Sequence, residues 1–334
     1  MRVVENLNQA LRTMLDDDPS LYLLGEDLVD PYGGAFKVSR GASTRHPERV
    51  LSTPISEGAV TGLAAGLALT GDRAIVEIMF GDFIALCFDQ IVNFASKSVT
   101  MYGRQVPMRL VVRCPVGGNR GYGPTHSQSP QKHFVGVPNL ALFEMSPFHD
   151  NAAVLTRMLD RGEPGLFFED KILYTQQMYS GGRVDELFRY DFVGNDPAVA
   201  RVYVEDPEDV EQVVIAPGGM ANRTLAAVRA LFLREERSCL VFVPSQLYPF
   251  DLDPLLPALR RAGRITVVEE GTAGGTWGGE VTHLIHRELW GSLRRPVRLV
   301  HSAASVIPTA HHLERDVLVQ ESTIFHALRE ADDA

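Results

Sequence analysis

Thr53-Pro54-Ile55-Ser56-Glu57 separates a short apolar run, Val50-Leu51-Ser52, from residues 58–70, a stretch of small and apolar residues without a charge. The first run predicts a strand and the second a buried helix. Glu57 then stands where strand gives way to helix. An acid there gains from the helix dipole, and ligands of open α/β sheets collect at strand ends. On spacing alone, an ordinary acidic first-turn residue reads the same way.

Outward from this stretch the same alternation recurs. Helical spacing over 3–15 leads to an apolar strand at 21–24, ended by Gly25-Glu26-Asp27. A strand at 74–78 precedes a helix over 83–98, in which Ile84, Phe88, Ile91 and Ala95 recur at helical spacing. A strand at 107–113 feeds a long glycine-rich loop, 115–130, of a length that is more often functional than idle. Strands at 140–144 and 166–169 complete the first set, and strands interleaved with helices predict a parallel sheet covered on both faces. Periodicity fades from 178 to 207, and a second alternation begins with strands at 213–216, 240–243, 265–268 and 297–300. The expected architecture is α/β with two domains, each a mostly parallel sheet flanked by helices: residues 1–180, a linker over 181–207, and 208–334.

The chain has 334 residues, 45% of them hydrophobic, enough for a sizeable core. A formal charge of −10 leaves no diffuse basic surface, which argues against nonspecific binding to nucleic acid or to an anionic membrane. Cys87, Cys114 and Cys239 lie far apart without metal-ligand spacing and suit packing in a reducing compartment. The first residues mix charges through an amphipathic pattern and lack the apolar core of a signal peptide. No uninterrupted apolar run is long enough to span a bilayer. The expectation is a cytoplasmic protein.

The order of several short motifs carries a resemblance. Gly25-Glu26-Asp27, Gly33-Gly34-Ala35-Phe36, Thr53 to Glu57, Glu77 to Phe83 leading into Phe88-Asp89-Gln90-Ile91-Val92-Asn93, His126-Ser127-Gln128-Ser129 and Phe167-Phe168-Glu169 mark the first half. Glu269-Glu270-Gly271, Gly274-Gly275, Pro308 and Leu313-Glu314 mark the second. In this order they resemble the beta subunit of the thiamine-diphosphate-dependent decarboxylating component of 2-oxo acid dehydrogenase complexes, within the transketolase-like superfamily. The similarity runs almost end to end and is more specific in the first half.

The resemblance implies a pyrimidine-binding domain followed by a transketolase C-terminal-like domain. It gives Glu57 the role of hydrogen-bonding the cofactor's pyrimidine ring, favouring the imino tautomer that removes the thiazolium proton. A desolvated carboxyl group suits that task, because burial raises its pKa toward the working range. It also implies that Phe83 packs against the pyrimidine, with plain core packing as the alternative, and that Ile55 joins the cofactor-binding residues. His126 would act at the active-site mouth, on the bound intermediate and the incoming acceptor; by itself, a loop histidine reads as a surface residue.

Enzymes of this class anchor the diphosphate through Mg²⁺ with a Gly-Asp-Gly motif, which this chain lacks. The resemblance therefore implies a half-site. An alpha-type subunit would hold Mg²⁺ and the diphosphate in an α2β2 assembly, with a lipoyl or acyl carrier protein as acceptor. Residues 160–164 fall where some relatives bind a structural K⁺. Glu280, His283 and His286 read as a solvated helix face, His311-His312 carries no further ligand pattern, and residues 274–279 read as a structural turn more readily than a phosphate cradle. An arginine usual near Val243-Pro244-Ser245-Gln246 is missing, which bears on partner identity more than on cofactor activation.

The function implied first is cleavage of a 2-oxo acid with transfer of the acyl unit to a lipoyl-type carrier. The alternatives are transketolase-like transfer of a two-carbon ketol unit from a ketose phosphate to a carrier protein, and a catalytically silent scaffold.

Overall fold

The computed structural model describes residues 1–208 and 210–329, so residue 209 and the last residues of the expected second domain, 330–334, lie outside the described residues. The described chain divides into two units. The first comprises Met1–Val116, His133–Met145 and His149–Met178; the second comprises Gly117–Lys132, Ser146–Phe148 and the chain from Tyr179 onward.

The first unit is built on β1 (Leu21–Gly25), β2 (Val50–Ser52), β3 (Arg73–Glu77), β4 (Leu110–Val116), β5 (Ala141–Glu144) and β6 (Gly165–Asp170). They lie in the order β5-β6-β4-β3-β1-β2, every neighbouring pair parallel. Strands β4, β5 and β6 are buried along their whole length, as expected where helices cover both faces. The helix Val3–Asp17 turns Val3, Leu7, Leu11, Met14 and Leu15 into the core on one side.

The helix Glu57–Thr70 starts one residue earlier than its apolar run, and Gly71 closes it in the left-handed conformation that glycine adopts without strain. Its expected burial is partial, for Val60, Thr61, Ala64, Ala65 and Ala68 are buried whereas Leu63 is 53% exposed. The segment expected as one helix over 83–98 breaks into a 3-10 turn, Gly81–Cys87, a π-helical stretch, Gln90–Ala95, and a short α-helical end, Ser96–Ser98. Apolar spacing records which face is buried and is too coarse to distinguish helix pitch. Single π-turns within helices gather at functional sites.

The second unit carries a six-stranded sheet ordered Arg298–Ser302, Ile265–Thr272, Gln212–Ile215, Cys239–Val243, Val199–Tyr203, Arg189–Val193. The first three pairings are parallel and the last two antiparallel. Two of these strands occupy the stretch expected as a linker, 181–207. Charged and aromatic residues obscure them in the sequence because they alternate: Tyr190 is buried while Arg189 and Phe192 are exposed, and Arg201 on one strand grips Asp191 directly opposite at 2.7 Å. The helix Gly218–Glu235 packs Met220, Ala221, Ala227, Val228 and Leu231 into this unit's core.

Candidate active site

The carboxyl ends of β1 and β2 lie together because the two strands pair in register, Gly25 opposite Ser52, and the Thr53 N–H donates to the Gly25 carbonyl at 3.0 Å. Glu26 follows β1 directly. Glu57 opens the helix after β2 and is buried, as Glu26 is. The Glu26 carboxyl accepts the Ser56 N–H, while its Oε1 is buried and has no hydrogen-bond partner. Desolvation first, and the nearby Glu57 carboxyl second, push the Glu26 pKa up. Burial and the neighbouring Glu57 carboxyl thus both act against the charged form of Glu26.

Glycine 58 in the first turn approaches the carbonyl of Leu86, so the helix start rests on the 3-10 turn that carries Phe83. Phe83 is half-buried and meets Phe80 edge to face at 6.2 Å; Phe80 in turn meets Phe36 at 5.9 Å. Cys87, in the same turn, has its thiol pushed up to about 11 by burial and by the acids Glu57 and Glu26, which makes it a packing residue rather than a nucleophile. Ile55 is 82% exposed, and Leu86 is 62% exposed. The first unit therefore gathers Glu57, Glu26 and the Phe83 turn, with exposed Ile55 two residues before Glu57 and exposed Leu86 within that turn. Sequence reasoning left Glu26 out of the site, although Gly25-Glu26-Asp27 after a strand was its signal.

These residues fit the pyrimidine ring of thiamine diphosphate. A buried carboxyl group suits a ring nitrogen, the unpartnered Glu26 oxygen shows that the acid cluster is not closed by the chain itself, and Phe83 offers an aromatic neighbour.

His126 belongs to the second unit. It is half-buried in Gly117–Lys132, with its Nδ1 2.9 Å from the Thr125 hydroxyl and its N–H donating to the Gly123 carbonyl at 3.3 Å. In and beside the 274–279 turn, carbonyls and an amide are engaged by the chain's own groups. The Thr272, Ala273 and Gly274 carbonyls converge on the Lys132 ammonium at 2.9, 3.4 and 3.2 Å, and Glu269 already accepts the Gly278 N–H at 2.9 Å. His286 accepts the Val297 N–H at 3.4 Å and meets Trp290 edge to face at 6.1 Å, and no group of three or more potential metal-ligating His, Cys, Asp or Glu residues occurs among the described residues. In the 160–164 segment the Gly162 and Pro164 carbonyls accept the N–H groups of Met108 and Ala141. No helix among the described residues is long and apolar enough to cross a membrane.

Residues 1–177 match the pyrimidine binding domain of transketolase, and residues 202–324 match the transketolase C-terminal domain. The chain is 30% identical to the beta subunit of acetoin:2,6-dichlorophenolindophenol oxidoreductase from Cupriavidus necator, over 92% of this chain and 90% of the relative. It is 31% identical to the mitochondrial pyruvate dehydrogenase E1 component subunit beta-2 of Oryza sativa, over 99% and 86%. With the mitochondrial 2-oxoisovalerate dehydrogenase subunit beta 2 of Arabidopsis thaliana the identity is 32%, over 90% and 81%. A solved structure described as a split-gene transketolase, an inactive beta4 tetramer, superposes with a TM-score of 0.71 at 19% identity, covering 99% of this chain and 98% of that one, and shares the fold. Domain content, identity and coverage converge: the chain belongs to the transketolase-like family of thiamine-diphosphate-dependent 2-oxo acid dehydrogenase E1 beta subunits.

Proposed function

We propose that this chain is the beta-type half of a heteromeric enzyme that decarboxylates a 2-oxo acid and passes the acyl unit to a lipoyl-type carrier. The observation that carries the reading is the buried pair Glu57 and Glu26 at the ends of adjacent parallel strands, one oxygen of it unpartnered. Thiamine diphosphate, when bound, supplies the carbon nucleophile. Glu57 exchanges a proton with the pyrimidine nitrogen, and its burial keeps that hydrogen bond out of competition with water. Glu26, whose pKa burial and Glu57 push up, stands beside it. Phe83 and Ile55 flank the ring, and His126 serves the later transfer of the acyl group.

The partner is an alpha-type subunit holding Mg²⁺ and the diphosphate, in an α2β2 assembly, and the carbonyls of residues 160–164 are the candidate K⁺ ligands. Support for such a partner comes from Ile55 and Leu86, exposed apolar residues on the segments that carry Glu57 and Phe83. The acetoin relative favours a second reading in which the donor is a hydroxyketone and the same residues act.

Glu57→Gln in the chain reconstituted with its alpha-type partner tests the reading. Hydrogen–deuterium exchange at the cofactor's thiazolium carbon should slow by roughly 10²–10⁴-fold, the range typical of a positioned acid or base. An unchanged rate would return Glu57 to the role of an ordinary first-turn acid.

A further inference from the structure

Left-handed backbone recurs at every second residue of the loop that carries His126: Gly117, Asn119, Gly121 and Gly123 have φ of 86°, 64°, 69° and 78°. Such alternation turns successive N–H groups toward one concave side and makes a nest for an anion. Here the nest is filled by the chain's own carboxyl groups. Glu270 accepts the Gly118 N–H at 2.7 Å, and Glu314 accepts the N–H of Asn119 at 2.8 Å and of Gly121 at 3.1 Å. Glu314 is completely buried, and Glu270 is itself gripped by Arg223 at 2.5 Å. At the far end of the loop, the Ser129 hydroxyl reaches Glu270 at 3.5 Å and Lys132 enters its ring of carbonyls. A side chain on Gly123 would meet the Thr309 hydroxyl at 2.5 Å, so the loop lies directly on the segment that leads to Glu314.

We infer that Glu314 and Glu270 are positioning residues, anions built into the second domain that fill this nest and fix the backbone presenting His126. The inference rests on the role proposed for His126. It accounts for two acidic motifs, Glu269-Glu270-Gly271 and Leu313-Glu314, that have no other place in the chemistry. It also means that this glycine-rich loop offers no free cradle for a phosphate, because its convergent amides are already engaged.

Glu314→Gln keeps the side-chain volume but replaces one accepting oxygen with a donor that faces an N–H. In the chain reconstituted with its alpha-type partner, amide exchange over 117–123 should speed up about tenfold, the scale of one lost charge-assisted hydrogen bond. Acyl transfer from a 2-oxo acid to free lipoamide should fall by about the same factor, while thiazolium-proton exchange stays within about twofold of wild type, since only the later step uses His126. Combined with His126→Ala, the variant should transfer no more slowly than His126→Ala alone, because the two act as a unit. Should Glu314→Gln fail to fold, Glu314→Asp carries the same test, with an effect on amide exchange in the same direction. Unchanged amide exchange, or full additivity with His126→Ala, overturns the inference. Wild-type transfer by His126→Ala instead removes that histidine from the reaction, and the amide exchange of the Glu314 variant alone then decides whether the carboxyl groups hold the loop.

Discussion

Two pairs of buried acids lie at strand ends in the sheet of the first unit, and they are treated oppositely. Glu77, the last residue of β3, and Glu169 in β6 flank Arg113 in β4, which donates from Nε and Nη2 to Glu169 at 2.7 and 2.8 Å and from Nη1 to Glu77. Glu77 stands opposite Arg113 in the parallel register and also accepts the Ala35 N–H and the Ser39 hydroxyl, while Tyr174 donates to Glu169 at 2.5 Å. Burial opposes the charge on Arg113, yet the carboxylates of Glu169 and Glu77 hold it protonated, above its ordinary value. No cation is among the groups that shift Glu26, whose neighbouring charges are Glu57 and Asp27. The acids that hold the loop and the sheet together are satisfied by a buried arginine and several further donors, whereas the Glu26 carboxyl keeps one buried oxygen without a hydrogen-bond partner.

The largest break in this contrast should come from Arg113→Met, which strands two buried carboxyl groups and should destabilise the chain by about 3–5 kcal/mol. Urea unfolding measures it, and a loss below about 1 kcal/mol would mean that the arginine is not what makes the Glu77 and Glu169 pair tolerable. Gly34→Ala comes next. Gly34 has φ of 74°, and an added methyl would sit 2.5 Å from Glu77 Oε1, so the loop over 33–39 should shift at a loss of about 1–3 kcal/mol. An exposed-glycine comparison, Gly71→Ala at the end of its helix, meets no atom within 4 Å and should show backbone strain without a steric clash.

The smallest effect has the opposite sign. A carboxyl group whose folded pKa is raised contributes most favourably below its ordinary value of 4.5, and that contribution is lost as pH rises through the folded value. Glu26→Gln removes the titration and the repulsion with Glu57 while still accepting the Ser56 N–H. The difference in urea midpoint, mutant minus wild type, should therefore grow in the mutant's favour from pH 4.5 toward pH 8. A difference that is flat, or that favours wild type at high pH, would show that burial does not push the Glu26 carboxyl up.

Much of this was legible beforehand. The run of small apolar residues after Glu57 forms the helix expected of it, and strands β1, β2, β3 and β5 lie within a residue of the apolar runs that mark them. Strand β4 begins three residues later than its expected start, because Pro107 and Met108 continue the apolar run while remaining outside the ladder. The π-helical stretch and the paired strands within 181–207 were illegible, since hydrogen-bond pitch leaves no mark on composition and an alternating edge hairpin rich in charge resembles a loop.

The sequence by itself determined the alternation of strands and helices, the uncharged helix led by Glu57, and the order of motifs that carries the family. Periodicity and short motifs are local, and the physics behind them acts over a few residues. Tertiary structure alone decided which acids became neighbours. In a parallel sheet adjacent strands are joined through whole crossover units, so Glu26 and Glu57, or Arg113 and Glu169, meet only when strand order and register are set. The same holds for the loop of His126. Its glycines were readable as a long loop of a kind more often functional than idle, but only folding brought Glu270 and Glu314, far along the chain, onto its amides, because a buried N–H must find an acceptor wherever the fold supplies one.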